Sequence, residues 1–239
     1  MNAAENITYS DTDNQTWAIL FNRQLDAVKQ YAYSSFVPAL EMLKLDGTHV
    51  PLLPVINQQL LPLTGWTLYP VPGLIENEYF FKQMQQQRFG STTWLKKPEQ
   101  LDYLEEPDMF HDIFGHIPLL ADKNITDFLS NLARIAAATN FDEVIVEACA
   151  RLYWYTVEFG LIKEEGELKI YGAGILSSIG ETAYCMSSNV KLTGFNIEEI
   201  LATPYIKDSF QSQYFVLNSM DDLKDAVVEF EKIASIKIQ

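Results

Sequence analysis

The segment "EEPDMFHDIFGHIPLLADK" (105–123) constrains this chain more than any other, because it reads as core yet carries two of the chain's three histidines. His111 and His116 stand there with Asp112 among Phe110, Ile113, Phe114, Ile117, Leu119 and Leu120. Imidazoles and carboxylates in so apolar a stretch are costly to bury unless they are partnered. A neutral imidazole is also the commonest nitrogen ligand for iron, zinc, copper and nickel. At ~100° per residue, positions five apart lie ~140° apart around a regular helix, so the two histidines do not share a face. A π-type widening would bring them together, and Gly115 and Pro118 offer a place for it. The spacing therefore predicts an irregular helix between 111 and 118. Pro107 suits its first turn, and Pro118 should kink or end it.

A third ligand is expected in "RLYWYTVEFGLI" (151–162). Between Leu152 and Ile162, Glu158 is the only residue charged at neutral pH. A carboxylate in such a helix needs an ionic partner or a cation. Arg151, seven residues earlier on the same helical face, is one candidate partner. The other is a metal shared with His111 and His116. Two histidines and one carboxylate leave one side of a metal open, which suits non-haem Fe(II) activating O₂. Three such ligands also hold catalytic zinc, so the residues alone leave the metal open.

The rest of the chain reads as mainly α with a few short strands. Helical spacing covers 13–45, 76–88, 125–138, 141–163 and 220–234. Residues 50–75 hold five prolines and predict an extended loop or short strand. A short strand, a turn and a helix are expected over 167–181, and a strand at 212–218. Residues 1–12 read as a frayed tail, and 1–239 as a single catalytic domain. The formal net charge of −15 argues against nucleic-acid or anionic-membrane partners. Two cysteines without a CxxC predict a reduced, cytoplasmic setting. The polar N-terminus has no apolar signal region, and no apolar run reaches the ~20 residues of a membrane span.

Three stretches, "EEPDMFHDIFGHIPLL", "LYWYTVEFGL" and "IYGAGILSSIGETAYC", together resemble the catalytic domain of the pterin-dependent aromatic amino acid hydroxylases, and most of all the short bacterial phenylalanine 4-hydroxylases. The resemblance runs from about residue 60 to about 232. It implies a helical basket, Fe(II) held by His111, His116 and Glu158, tetrahydrobiopterin as cofactor and O₂ as co-substrate. It implies that the pterin stacks on Phe80, beside Ile75, Ala150 and Asp112, and that Tyr153 stands near the iron. Pro107, Trp154, Phe159, Gly174 and Ser177 are implied to line the amino-acid pocket. The activity implied is a monooxygenase converting L-phenylalanine to L-tyrosine. Helical geometry adds that Trp154, four residues before Glu158, must border any metal that Glu158 holds.

Two residues depart from the family pattern. Lys96 stands where an arginine clamps the substrate carboxylate; it keeps the charge and loses the planar fork. Lys207 stands where relatives have an aliphatic residue at the pocket edge. Tryptophan, tyrosine or a modified aromatic therefore remain rival substrates. A catalytically lapsed pterin- or metal-binding protein and a zinc hydrolase are the further rivals. Without a regulatory domain or a tetramerisation helix, the chain is expected to be a monomer.

Overall fold

The computed structural model describes residues 7–101, 107–207 and 209–237. Glu105 and Glu106, the first residues of the histidine segment, lie outside them. Helix α1 (Asp11–Tyr31) begins inside the stretch expected to fray, because Ser10 and Asp13 form a reciprocal cap. The hydroxyl of Tyr9 also donates to the carbonyl of Thr93 at 3.2 Å. The long helix expected over 13–45 is two helices, α1 and α2 (Phe36–Met42). The break is tertiary in origin: the Tyr33 N–H leaves the helix to donate to the Ile170 carbonyl at 2.8 Å.

The proline-rich stretch is a second correction. It forms α3 (Leu53–Thr64), with Pro54 in the first turn, where no intrahelical N–H is required. Pro62 falls in the last turn, and Gly65, at φ +82°, ends the helix in the left-handed region. Strand β1 (Thr67–Pro70) pairs in parallel with β2 (Arg88–Ser91), and α4 (Asn77–Met84) makes the crossover.

Residues His111–His116 are π-helical, and α5 (Ile117–Leu120) continues directly from them. The widened turn expected from the spacing is present. Pro118 does not end the helix; it occupies the first turn of α5. After α6 (Lys123–Ala138) and α7 (Glu143–Tyr153) comes a second π-helical segment, Trp154–Glu158. The helix expected to reach 163 stops there, and β3 (Leu161–Glu164) follows. The chain then forms β4 (Glu167–Ile170), α8 (Ala173–Leu176), α9 (Ile179–Cys185), β5 (Lys191–Gly194), α10 (Ile197–Ala202), β6 (Gln213–Leu217) and α11 (Asp221–Lys237). Strands β4-β3-β6-β5 make one sheet, with the wholly buried β6 inside it.

The first π-helical segment is seated on aromatic rings. Phe110 and Phe114 stack at 4.9 Å, Trp17 meets Phe110 edge-on at 5.4 Å, and Phe21 and Phe36 meet Phe114 the same way. All five rings are buried. Burial of these side chains fixes one side of the segment and leaves its histidines facing a cavity.

Candidate metal centre and pocket

The two π-helical segments bring three donor atoms to one point. His111 Nε2 and His116 Nε2 lie 3.1 Å apart, and Glu158 presents Oε1 to His111 at 3.1 Å and Oε2 to His116 at 3.0 Å. Arg151, the alternative partner for Glu158, is engaged elsewhere, with the carboxylate of Glu147 at 3.2 Å and the carbonyl of Leu201 at 2.8 Å. Among the described residues this is the only such group of His, Cys, Asp and Glu side chains. Donor spacing tests the fit of a metal. Ligands ~2.1–2.2 Å from an ion and at right angles to one another stand ~3.0–3.1 Å apart, whereas a tetrahedral set would stand ~3.4–3.6 Å apart. The two imidazole nitrogens stand at the spacing of adjacent octahedral positions, and a different carboxylate oxygen of Glu158 faces each of them, with the cavity on the opposite side.

Electrostatics support the same conclusion. Burial would depress the imidazolium of His111, but the carboxylate of Glu158 against it raises the imidazole to about 9. Burial would raise Glu158, and the imidazoles of His116 and His111 hold it well below the usual carboxylate range. The triad thus binds positive charge, as a proton when no metal is present.

Ser177 decides which nitrogen of His111 is available. Its Oγ donates its one proton to the Ala173 carbonyl at 2.8 Å and lies 2.9 Å from His111 Nδ1. The serine must therefore accept from an Nδ1–H, which makes Nε2 the nitrogen that can exchange its proton for a metal. His116 is held between rings, with Phe89 at 4.9 Å and Tyr153 at 6.1 Å between centroids, and its Nδ1 lies 3.4 Å from the Tyr153 hydroxyl. Two glycines let the pieces approach. A Cβ on Gly115 would stand 2.7 Å from the Ala173 carbonyl, and one on Gly174 would stand 3.0 Å from Glu158 Oε1.

A cavity of about 740 Å³ opens on the free side of the triad. Every residue expected to serve the site lines it. On one side are Ile75, Ala150 and Phe80, whose ring meets Tyr153 edge-on at 5.1 Å. Asp112 stands near them, its Oδ2 taking the backbone N–H and the hydroxyl of Thr92, both at 2.7 Å. Burial raises the carboxyl of Asp112, and His111 and Thr92 oppose that shift. Elsewhere the cavity is walled by Pro107, Gly174, Ser177, Trp154 and Phe159, the last two with ring centroids 4.8 Å apart. Lys96 is largely buried there, with Nζ 4.0 Å from Asp108 Oδ1. Lys207 lies exposed on the rim, with Nζ 5.4 Å above the Tyr205 ring.

Three further residues shape the site without having been expected. Asp108 is almost wholly buried and receives the backbone N–H groups of Lys96 and His111. Its place in "EEPD", three residues before His111, was the available signal. Thr92 orients Asp112, and Gln211 bonds Trp154. Nothing in "STTW" or "SFQSQ" marks either one, because each finds its partner only in the tertiary structure.

The model of the family described as biopterin-dependent aromatic amino acid hydroxylase matches residues 2–238. Phenylalanine-4-hydroxylase of Chromobacterium violaceum is 44% identical over 219 residues, which cover 91% of this chain and 73% of that protein. The crystal structure of C. violaceum phenylalanine hydroxylase with bound iron(III) and the oxidised cofactor 7,8-dihydrobiopterin superposes with a TM-score of 0.87 at 41% identity, covering 97% of this chain and 84% of that one. The solved phenylalanine hydroxylase of Legionella pneumophila gives a TM-score of 0.90 at 37% identity, covering 98% and 94%. With its fold, its two-histidine, one-carboxylate cluster and its aromatic-walled cavity in agreement, the chain belongs to the biopterin-dependent aromatic amino acid hydroxylases.

Proposed function

We propose that this protein hydroxylates the ring of L-phenylalanine to give L-tyrosine, with Fe(II) at His111, His116 and Glu158, a tetrahydropterin beside Phe80, and O₂ as co-substrate. The observation that carries the reading is the convergence of two imidazoles and one carboxylate, with donor atoms within 4.8 Å of one another, at the floor of an aromatic cavity. Iron and the reduced pterin supply the activation of dioxygen when bound; the protein's part is to orient, to exclude water and to hold charge.

Each wall has a task. Phe80 offers its ring as a stacking surface for the pterin, with Ile75 and Ala150 beside it. Asp112, with Oδ2 saturated by Thr92, has Oδ1 to accept from a pterin N–H or a water bound to it. Trp154 and Phe159 present flat apolar surfaces to a benzene ring, and Pro107 and Gly174 leave room for it. The ammonium of Lys96 attracts the amino-acid carboxylate, and Asp108 holds that ammonium in place. Ser177 keeps Nδ1 of His111 protonated, so Nε2 stays free for the metal.

The relatives named phenylalanine hydroxylase support phenylalanine over the other aromatic amino acids. A reducing compartment is supported by two buried, unpaired cysteines, whose thiols burial pushes up to about 12. No described helix is long and apolar enough to cross a membrane. We further take the protein to act as a monomer, which light scattering would test.

The deciding experiment is anaerobic reconstitution with Fe(II), followed by tetrahydrobiopterin, O₂ and each of phenylalanine, tyrosine and tryptophan. Tyrosine formed from phenylalanine at the highest kcat/KM supports the proposal. Preferential hydroxylation of another amino acid, or pterin consumption without any hydroxylated product, overturns it.

A further inference from the structure

Trp154 has one polar atom, and its partner is Gln211. The indole N–H donates to Gln211 Oε1 at 3.0 Å. The other end of that amide, Nε2, donates to the carbonyls of Ile206 at 2.8 Å and Ser209 at 3.5 Å. The orientation of the amide is fixed by this chemistry, since an indole N–H needs an acceptor and a carbonyl needs a donor. Gln211 is only 2% exposed. Its backbone N–H donates to Glu181 Oε1 at 3.2 Å, and the same oxygen accepts from the hydroxyl of Tyr214. One residue therefore fastens the pocket-wall indole to the backbone at Ile206 and Ser209 and to Glu181 of α9, which Tyr214 of β6 also reaches. Tyr205, next to Ile206, packs its ring against the indole with centroids 5.0 Å apart, and its hydroxyl reaches Glu147 at 3.4 Å.

We propose that Gln211 is a positioning residue for the ring hydroxylation: its amide sets the rotation of the Trp154 indole and ties it to the backbone at Ile206 and Ser209, so that the substrate ring is held in one place. This rests on the function proposed above. Stacking leaves an indole free to slide and tilt at little cost, whereas a hydrogen bond to its single N–H is directional. Small displacements of a bound ring near a reactive centre cost product far out of proportion to their size. Loss of the bond should therefore degrade ring placement more than it degrades pterin consumption.

Two substitutions break the bond from opposite ends. Gln211→Met keeps the length of the side chain and replaces the amide oxygen with a thioether that accepts only weakly; Trp154→Phe keeps an aromatic wall and cannot donate. The readouts are the equilibrium dissociation constant for phenylalanine and the moles of tyrosine formed per mole of tetrahydrobiopterin oxidised. Each single variant should weaken phenylalanine binding or lower the product ratio by roughly threefold to tenfold, the range of one lost hydrogen bond. Pterin oxidation by Gln211→Met should stay within about twofold of wild type. The double variant should be no worse than the poorer single one, because both remove the same interaction. Gln211→Met with affinity and product ratio both within about twofold of wild type overturns the proposal, and so does a double variant whose losses multiply. Should Gln211→Met not fold, unchanged affinity and product ratio in Trp154→Phe overturns it alone. A wild-type protein that forms no tyrosine refutes the function instead, and the dissociation constants then decide the role of Gln211.

Discussion

Replacing Ser177 by alanine tests how the metal site is held, because that hydroxyl touches only one side of it. Its proton is committed to Ala173 and its lone pair to His111 Nδ1–H, at 2.8 and 2.9 Å. Without it, the neutral imidazole can place its proton on Nε2, where the metal must bind, and the ring can swing away from Glu158. Loss of an outer hydrogen-bond partner of a metal-bound histidine costs about 10- to 100-fold in metal affinity, or about 1.4–2.8 kcal/mol. The assay is anaerobic competition for Fe(II) against a chelator of known affinity, at pH 8, with Zn(II) as a redox-inert check. In the zinc form the Nδ1–H of His111 should give a slowly exchanging proton resonance in the wild type and not in Ser177→Ala. Metal affinity within about twofold of wild type would refute the argument that Ser177 selects the tautomer.

The metal-free triad should make metal loading depend on pH. His111 is raised to about 9, so below that pH an entering ion must displace one proton, and apparent affinity should fall about tenfold per unit, or ~100-fold from pH 8 to pH 6; a flat profile in the chelator competition contradicts this. The sign reverses for the stability of the metal-free protein. A folded value raised above the unfolded 6.5 gives stabilisation that is full below about pH 6.5 and lost as pH rises through about 9, which calorimetric melts of metal-free protein would show. Lys96→Met should raise KM for phenylalanine about 10- to 100-fold with a smaller effect on kcat, from loss of a charged hydrogen bond, in steady-state assays. Phe114→Ala empties the ring stacked on Phe110 and in contact with Phe21 and Phe36, and should cost about 3–5 kcal/mol in chemical denaturation.

The candidate metal ligands stand out because the sequence makes them anomalous. Glu158 is the lone charge in an apolar helix, and two histidines share an apolar segment at a spacing that a regular helix cannot use. The same spacing, with Gly115 inside it, pointed to the widened turn. What remained hidden depends on contacts between distant segments. The break at Ala32 follows from a hydrogen bond to Ile170, and no local propensity announces it. Helix α3 was masked by its prolines, whose meaning changes with position: Pro54 in a first turn is favourable, and the same residue in mid-helix would have been disruptive. Thr92 and Gln211 act through partners 20 and 57 residues away, and their own neighbourhoods in sequence are unremarkable polar loops. The residues named from the family resemblance nonetheless converge on a single cavity: Asp112, Ala150, Tyr153 and Trp154 share the helices of His111, His116 and Glu158, whereas Phe80, Lys96 and Ser177 arrive from other elements.

The proposed chemistry requires His111, His116 and Glu158 to grip one ion together. The most direct measurement is an anaerobic Fe(II) titration of the wild type and of Glu158→Ala, with metal content read after gel filtration. One iron per wild-type chain and close to none in a folded Glu158→Ala protein is the expected result. Stoichiometric, equally tight binding by that variant would contradict it.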